Sequence, residues 1–315
     1  MTSDMTSELV IRALAEDEAR TVFTSLSDPG LVGRPLADPP FNAYQTRAAG
    51  GEYRPDWTFV AERDGAVVAR AAFWAGPGDD EPLALDWFDF TDRAAGVALL
   101  REVPLRADYE LLLPPGWRDS PAVREAARAR VETATEAGWT PLVERYRYLW
   151  TPRCGLPERT GRLVLRPEPD DEVVLDVPRG VHGDTLDQHA GRAVEKGGAD
   201  LAAREEMDFF RWCPSPRAWL RLAYTPGGGL VGIQVPAENT TTPVVGFIGV
   251  VSEQRGHGYA YDLLVECTRD LVDHGARRIA AATDVGNVPM AKGFARAGYP
   301  VTQHRFCMTR PGGAA

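Results

Sequence analysis

From Val244 to Val272 the chain changes hydrophobic period once, and that change marks its most informative segment. Val244-Val245-Gly246-Phe247-Ile248-Gly249-Val250-Val251 is a continuous apolar run of strand length. Beyond Ser252-Glu253-Gln254-Arg255-Gly256-His257-Gly258, the residues Leu263, Leu264, Cys267, Leu271 and Val272 recur at helical spacing. Asp262, Glu266, Arg269, Asp270 and Asp273 fall on the opposite side. Gly275 stops this helix, residues 278–283 read as the next strand, and a second helix runs from Asn287 to Ala297 before Gly298-Tyr299. A glycine-rich turn between strand and helix exposes backbone N–H groups at the positive end of the helix dipole, with no side chain to block an anion, so this turn suits a pyrophosphate. Arg255 adds a fixed charge beside it.

The same order of elements occurs twice. Leu9-Val10-Ile11-Arg12 with Asp17-Glu18 matches Leu163-Val164-Leu165-Arg166 with Asp171-Glu172, and Trp57 and Ala61 match Trp219 and Ala223. Arg93, Gly96 and Ala98 match Arg255, Gly258 and Ala260, and Ala137-Gly138-Trp139 matches Ala297-Gly298-Tyr299, all at an offset of about 160 residues. Each copy begins with a strand, passes through helices and enters a hairpin, turning at Arg63-Asp64-Gly65 in one and Pro226-Gly227-Gly228-Gly229 in the other. The division predicted is a first domain over 1–150, a Pro- and Gly-rich linker over 151–161 and a second domain over 162–315. In the first copy Pro104 ends the helix early, and Ala94 and Ala95 stand where the second has Gly256 and His257, so methyl groups crowd a phosphate. The first copy therefore reads as structural support.

Composition narrows the function. At 315 residues the chain fits two domains, and 44% hydrophobic with 25% charged residues is ordinary for a globular protein. No apolar run approaches membrane-spanning length and Met1-Thr2-Ser3-Asp4-Met5 starts no signal peptide, so no membrane partner and a cytoplasmic location are expected. A net charge of −10 argues against nucleic acid and suits a cationic acceptor. Cys154, Cys213, Cys267 and Cys307 lie far apart and the histidines show no ligand spacing, so no metal is expected; Cys267, on the apolar stripe, reads as a small core filler.

Arg255-Gly256-His257-Gly258-Tyr259-Ala260 fits the R-x-x-G-x-G/A signature, and in its frame of strand, turn, helix, strand, Asn, helix and Gly-aromatic it resembles the GNAT N-acetyltransferase superfamily. A worn first copy followed by an intact second resembles mycothiol synthase and related actinobacterial acyltransferases. The resemblance implies an α/β (α+β) fold of two tandem GNAT-like domains, each a mixed, mostly antiparallel sheet flanked by helices. It implies that the amides of Gly256, His257, Gly258, Tyr259 and Ala260 hold the pyrophosphate of acetyl-CoA, with Val250 and Val251 pairing with the pantetheine arm and Asn287 bonding to it as well as capping its helix. The family carries a Tyr seven residues after that Asn to protonate the leaving thiolate; here Phe294 occupies the position and has no proton to give. Tyr261, Tyr299 and His304 are alternative donors.

An amine arrives as an ammonium and needs a general base before it can attack a thioester. Asp284, at the end of the strand after the cofactor helix, and Glu238, at the end of the hairpin, are the candidate carboxylates. The segment Arg204 to Trp212 is predicted as a helix walling the acceptor pocket. The expected activity is direct transfer from acetyl-CoA to a small-molecule amine in a ternary complex, by a monomer or homodimer. The alternatives are a CoA-binding or ligand-sensing protein without turnover, and a tRNA-dependent aminoacyl transferase, which the acidic balance disfavours.

Overall fold

A computed structural model describes residues 8–239 and 241–310, so the Met1-to-Met5 stretch and the extreme C-terminus lie outside the described residues. The first series of elements is β1 (Leu9–Ala13), α1 (Ala19–Phe23), β2 (Tyr53–Arg63), β3 (Ala66–Trp74), β4 (Ala84–Phe90), α2 (Arg93–Glu102), β5 (Asp108–Leu113), α3 (Pro121–Glu136) and β6 (Thr140–Trp150). The second repeats it with one helix added: β7 (Val164–Pro167), α4 (Asp171–His182), α5 (Gln188–Trp212), β8 (Arg221–Tyr224), β9 (Leu230–Glu238), β10 (Pro243–Val250), α6 (Tyr259–Asp273), β11 (Ile279–Asp284), α7 (Val288–Arg296) and β12 (Val301–Thr309). The hairpin between β2 and β3 turns through Asp64 and Gly65, both with positive φ (51° and 75°), the type I′ geometry that its sequence announces. Among the described residues no helix is long and apolar enough to cross a membrane.

The chain forms two compact units, one drawn from residues up to Val143 and from Gln303 onward, the other Glu144–Thr302. In the first the strand order is β1-β2-β3-β4-β5-β12, and in the second β7-β8-β9-β10-β11-β6. Each sheet is antiparallel except for one parallel pair, β4 with β5 and β10 with β11. The expected boundaries thus meet a different arrangement, because the repeats exchange their last strands. β6 pairs with β11 from Arg145↔Asp284 to Trp150↔Ile279, and β12 pairs with β5 from His304↔Leu113 to Met308↔Tyr109. Residues 151–161 consequently lie inside the second unit. The hydrophobic pattern of a strand shows which face it buries and not which of two equivalent edges receives it.

In the second unit α6 buries Leu263, Leu264, Cys267 and Leu271 against the sheet, and burial pushes the Cys267 thiol well above its ordinary range, as befits a core filler. Asp262 and Asp270, expected on the solvent side, are buried instead. Each has found a partner: Asp262 pairs with Arg162, and Asp270 accepts from Gln234 at 2.6 Å and Arg221 at 3.0 Å. In the first unit α2 starts directly at Arg93, its N-terminus capped by Asp92, which accepts from the Ala95 N–H at 3.2 Å and pairs with Arg63 at 2.7 Å. A carboxylate of the chain itself thus sits where a phosphate would, and no anion-binding turn remains there.

The exchange predicts how fragments behave. A fragment Glu144–Thr302 holds the paired part of every strand of its sheet and should unfold cooperatively in urea, whereas a fragment 162–315 lacks β6 and should give no cooperative transition. The reverse pattern in circular dichroism melts would contradict the strand exchange.

Candidate functional site

Parallel strands β10 and β11 share a single ladder position, Val244↔Ala280, and then part. The cause sits at Gly246, where the register of β10 against β9 shifts between Val245 and Phe247. A Cβ at Gly246 would lie 2.9 Å from the Val235 oxygen and 3.0 Å from the Ala237 Cβ, so only glycine lets the bulge form against β9. A cavity of about 1040 Å³ opens between the parted strands, bounded also by the turn after β10 and by helices α4 to α7, all within the second unit. The backbone of the open edge can be read from the ladder. Val251 N–H donates to Val231 at 3.0 Å and Gly249 faces Ile233, so antiparallel alternation turns the backbone groups of Ile248 and Val250 towards the cavity.

The turn after β10 has Gly256 and Gly258 at φ of 80° and 79°, a left-handed conformation that favours glycine. Among the described residues, the N–H groups of Gly256, His257, Gly258, Tyr259 and Ala260 donate to no other group. A Cβ on Gly256 would meet nothing within 4 Å, and one on Gly258 would meet the Arg162 guanidinium at 3.6 Å. Arg162 shapes the turn from behind. Its guanidinium donates twice to the His257 oxygen at 3.1 Å, pairs with buried Asp262 and lies 4.8 Å from the Tyr259 ring centroid. It draws that carbonyl outward and adds positive charge next to the amides. Arg255, on the cavity wall, donates to Val250 at 3.2 Å and to the oxygens of Val181 and Asp184, at 2.7 Å and 3.3 Å, where α4 ends. It is a clamp between the turn and α4 rather than a free charge.

At the far end, the cavity is lined by His182, Asp187, Glu205, Glu206, Phe209 and Phe247. The helix predicted over Arg204 to Trp212 is the second half of α5, which breaks at Gly197 and Gly198 and brings Glu206 to the wall. Burial, chiefly, and the nearby charge of Asp187 push the Glu206 carboxyl up to about 8. Burial pushes the His182 imidazole down, and that residue is 2% exposed. Asp187, His189 and Asp284 lie close enough together to be considered as cation ligands. Arg145, however, stands 3.0 Å from Asp284 and 3.2 Å from Asp187, already supplying positive charge there.

No family model and no curated protein matches the sequence. Solved structures do. A GCN5-related N-acetyltransferase from Sphaerobacter thermophilus aligns over 95% of this chain and 94% of its own, with a TM-score of 0.56 at 15% identity. A tandem GNAT protein from the clavulanic acid biosynthesis pathway aligns over 96% and 98%, with a TM-score of 0.50 at 18% identity. A glucosamine N-acetyltransferase region of a fungal multi-domain GH3 beta-N-acetylglucosaminidase aligns over 97% of this chain and 38% of that one, with a TM-score of 0.54 at 11% identity. The fold is a tandem GNAT fold.

Within the GNAT fold the residues singled out by sequence separate into several groups. Val250, Arg255, Gly256, Gly258, Tyr259, Ala260, Asn287 and Phe294 line the cavity. Asn287 caps α7 through Oδ1, accepting from Met290 N–H at 3.2 Å, which leaves its amide donors for a ligand. Val251 is corrected: its N–H goes to Val231, its oxygen accepts from Gln254 at 2.9 Å, and its side chain packs into the core, so Ile248 takes the alternate open-edge position. His257 offers its backbone only, since its ring projects outward and meets the Gln254 oxygen at 3.2 Å. Neither expected base lines the cavity. Glu238 is exposed at the end of β9 with its N–H held by Ser215 at 2.6 Å, and Asp284 is 1% exposed, accepting from Gln188 N–H at 2.7 Å beside Arg145. Among the alternative proton donors, Tyr299 is buried with its hydroxyl 2.7 Å from that of Thr268, His304 belongs to the first unit, and Tyr261 lines the cavity under Arg296. Glu206 reaches the cavity, and Arg162 the turn beside it, only through folding, Glu206 on the helix that the sequence predicts as a wall.

Phe294 is 1% exposed and stacks on Tyr148 with ring centroids 4.2 Å apart. Phe294→Ala should therefore lower stability by about 3–5 kcal/mol in urea unfolding. A change under about 1 kcal/mol would show that this ring is not a core element.

Proposed function

We propose that the second unit is an acyl-CoA-dependent N-acyltransferase that transfers an acetyl group to a small-molecule amine by direct attack. The observation that carries this reading is the row of N–H groups from Gly256 to Ala260, which donate to no other described group, in a turn whose Gly256, Gly258, Tyr259 and Ala260 line the cavity beside the parted strands. Such a row matches a pyrophosphate in charge and hydrogen-bonding sense, and the GNAT fold supports it. The amides would hold the pyrophosphate, the open edge at Ile248 and Val250 would pair with the pantetheine arm, and the Asn287 amide would donate to it. Acetyl-CoA supplies an activated acyl group.

Glu206 is the base this reading assigns, in place of Asp284 and Glu238. It lines the cavity, and a carboxyl raised to about 8 is matched to an ammonium better than an ordinary carboxylate. Only the carboxylate form can take a proton, so the active fraction grows as pH rises through about 8. With Phe294 in the family's tyrosine position the departing thiolate leaves unassisted by that residue, which a thiol pKa near about 8.5 permits. The same phenylalanine favours a second reading, a CoA-binding protein without turnover.

Acetyl-CoA should bind in calorimetry, and Gly258→Glu, which adds strain and negative charge at a φ of 79°, should weaken binding at least about 100-fold. Absence of binding by the natural protein removes the proposal. Thiol release with an amine panel separates the two readings, since the protein without turnover gives none. For the enzyme, the rate should climb through about pH 8, and Glu206→Gln should abolish that limb and reduce kcat by about 10²–10⁴-fold.

A further inference from the structure

His182 stands on the cavity wall with a ring that makes no hydrogen bond among the described residues. It closes α4, is 2% exposed, and both ring nitrogens lack a partner. Such a group is rare in a folded protein and calls for an explanation. Glu206 lies beside it, with Nε2 3.7 Å from Oε2. That separation is too long for a hydrogen bond, yet it is short enough for a small movement of either side chain to close it.

The surroundings fix which form of the pair is favoured. Phe247 lies against the imidazole at 5.7 Å, and Cys213 follows the end of α5 near Glu206. The charged and titratable groups around the pair are Asp187 and His189 at the start of α5, Glu205 beside Glu206, Arg145 on β6 and Asp284 at the end of β11. Arg145 is held by Asp187 and Asp284 and so does not neutralise Glu206 directly. A neutral carboxylic acid facing a neutral imidazole is the combination this apolar, acid-rich pocket tolerates best, because neither group is then a buried unpaired charge.

We propose that His182 is a positioning residue for the base, its Nε2 accepting a hydrogen bond from the Glu206 carboxyl once Glu206 has taken the proton of the acceptor ammonium. In that step the ammonium N–H bond breaks and its electron pair stays on nitrogen for the attack. An O–H bond forms on Glu206, and the new hydroxyl turns to Nε2. The carboxyl oxygen facing the acceptor is then free of its proton and exerts no repulsion by N–H···H–O contact on the amine. The proposal rests on the acyltransferase reading for its purpose and on the orphaned imidazole for its evidence.

Two measurements test it. In the full-length protein with ¹⁵N-labelled histidine, assigned through His182→Gln, the Nε2 signal of His182 should move with a midpoint near pH 8, and Glu206→Gln should remove that movement. A flat signal between about pH 6 and 9, or the same movement in Glu206→Gln, overturns the pairing. This readout needs no turnover, so it decides the pairing even if the protein transfers no acyl group. In the enzyme, His182→Phe keeps the pocket apolar and removes the acceptor. It should shift the pH midpoint of kcat downward by roughly one unit while leaving acetyl-CoA affinity unchanged. A lower kcat with an unmoved midpoint assigns His182 to packing alone and refutes the proposal. Should His182→Phe not fold, the histidine spectrum of the natural protein stands as the test.

Discussion

The parting of β10 from β11 is the constraint on which the second unit's cavity depends. Two parallel strands joined at one ladder position leave open edges facing each other, and backbone N–H and C=O groups cannot stay unpaired in a dry interior at no cost. Such groups need a ligand or water, and the cavity between the strands gives room for either. Glycine at position 246 makes the parting possible, because the opposing carbonyl of Val235 comes too close for any side chain.

Around this opening, arginines act as fasteners of backbone. Arg255, which the signature suggests as an anion ligand, instead joins the end of α4 to the turn through the oxygens of Val181 and Asp184. Arg162 holds the His257 oxygen back from the opposite side. Between them they hold the turn through its own backbone and side chains, the kind of preorganisation that lowers the ordering cost of binding. The clamp on α4 also ties down the helix end that carries His182, so the glycine turn and the far wall of the cavity are joined through one side chain.

The first unit shows what the repeat becomes without that frame. Its parallel pair β4 and β5 is kept, but α2 starts at Arg93 under an Asp92 cap, and the Phe90 ring lies 3.1 Å from where a Cβ of Gly96 would stand. Its interior is occupied by apolar residues such as Phe73, Leu85 and Leu99, and by a buried network in which Asp89 binds both Arg70 and Arg130. Trp87 Nε1–H also donates to Asp89 at 2.8 Å, so that carboxylate is fully engaged by the chain's own donors.

What the sequence determined by itself is everything carried by short-range pattern. The strand before the turn, the amphipathic α6 with its buried Leu263, Leu264 and Cys267, the Asn287 cap and the order of elements in both copies follow from periodicity and from the backbone demands of glycine. These are local because the backbone conformation of a turn or a cap is set by the few residues within it. Tertiary structure alone decided which sheet receives β6 and β12, that Asp262 and Asp270 are buried with partners, and that Glu206 rather than Asp284 or Glu238 faces the cavity. An exposed and a buried carboxylate look alike along a chain. What makes one a base is burial and neighbouring charge, and both come from residues far away in sequence that folding brings to its side.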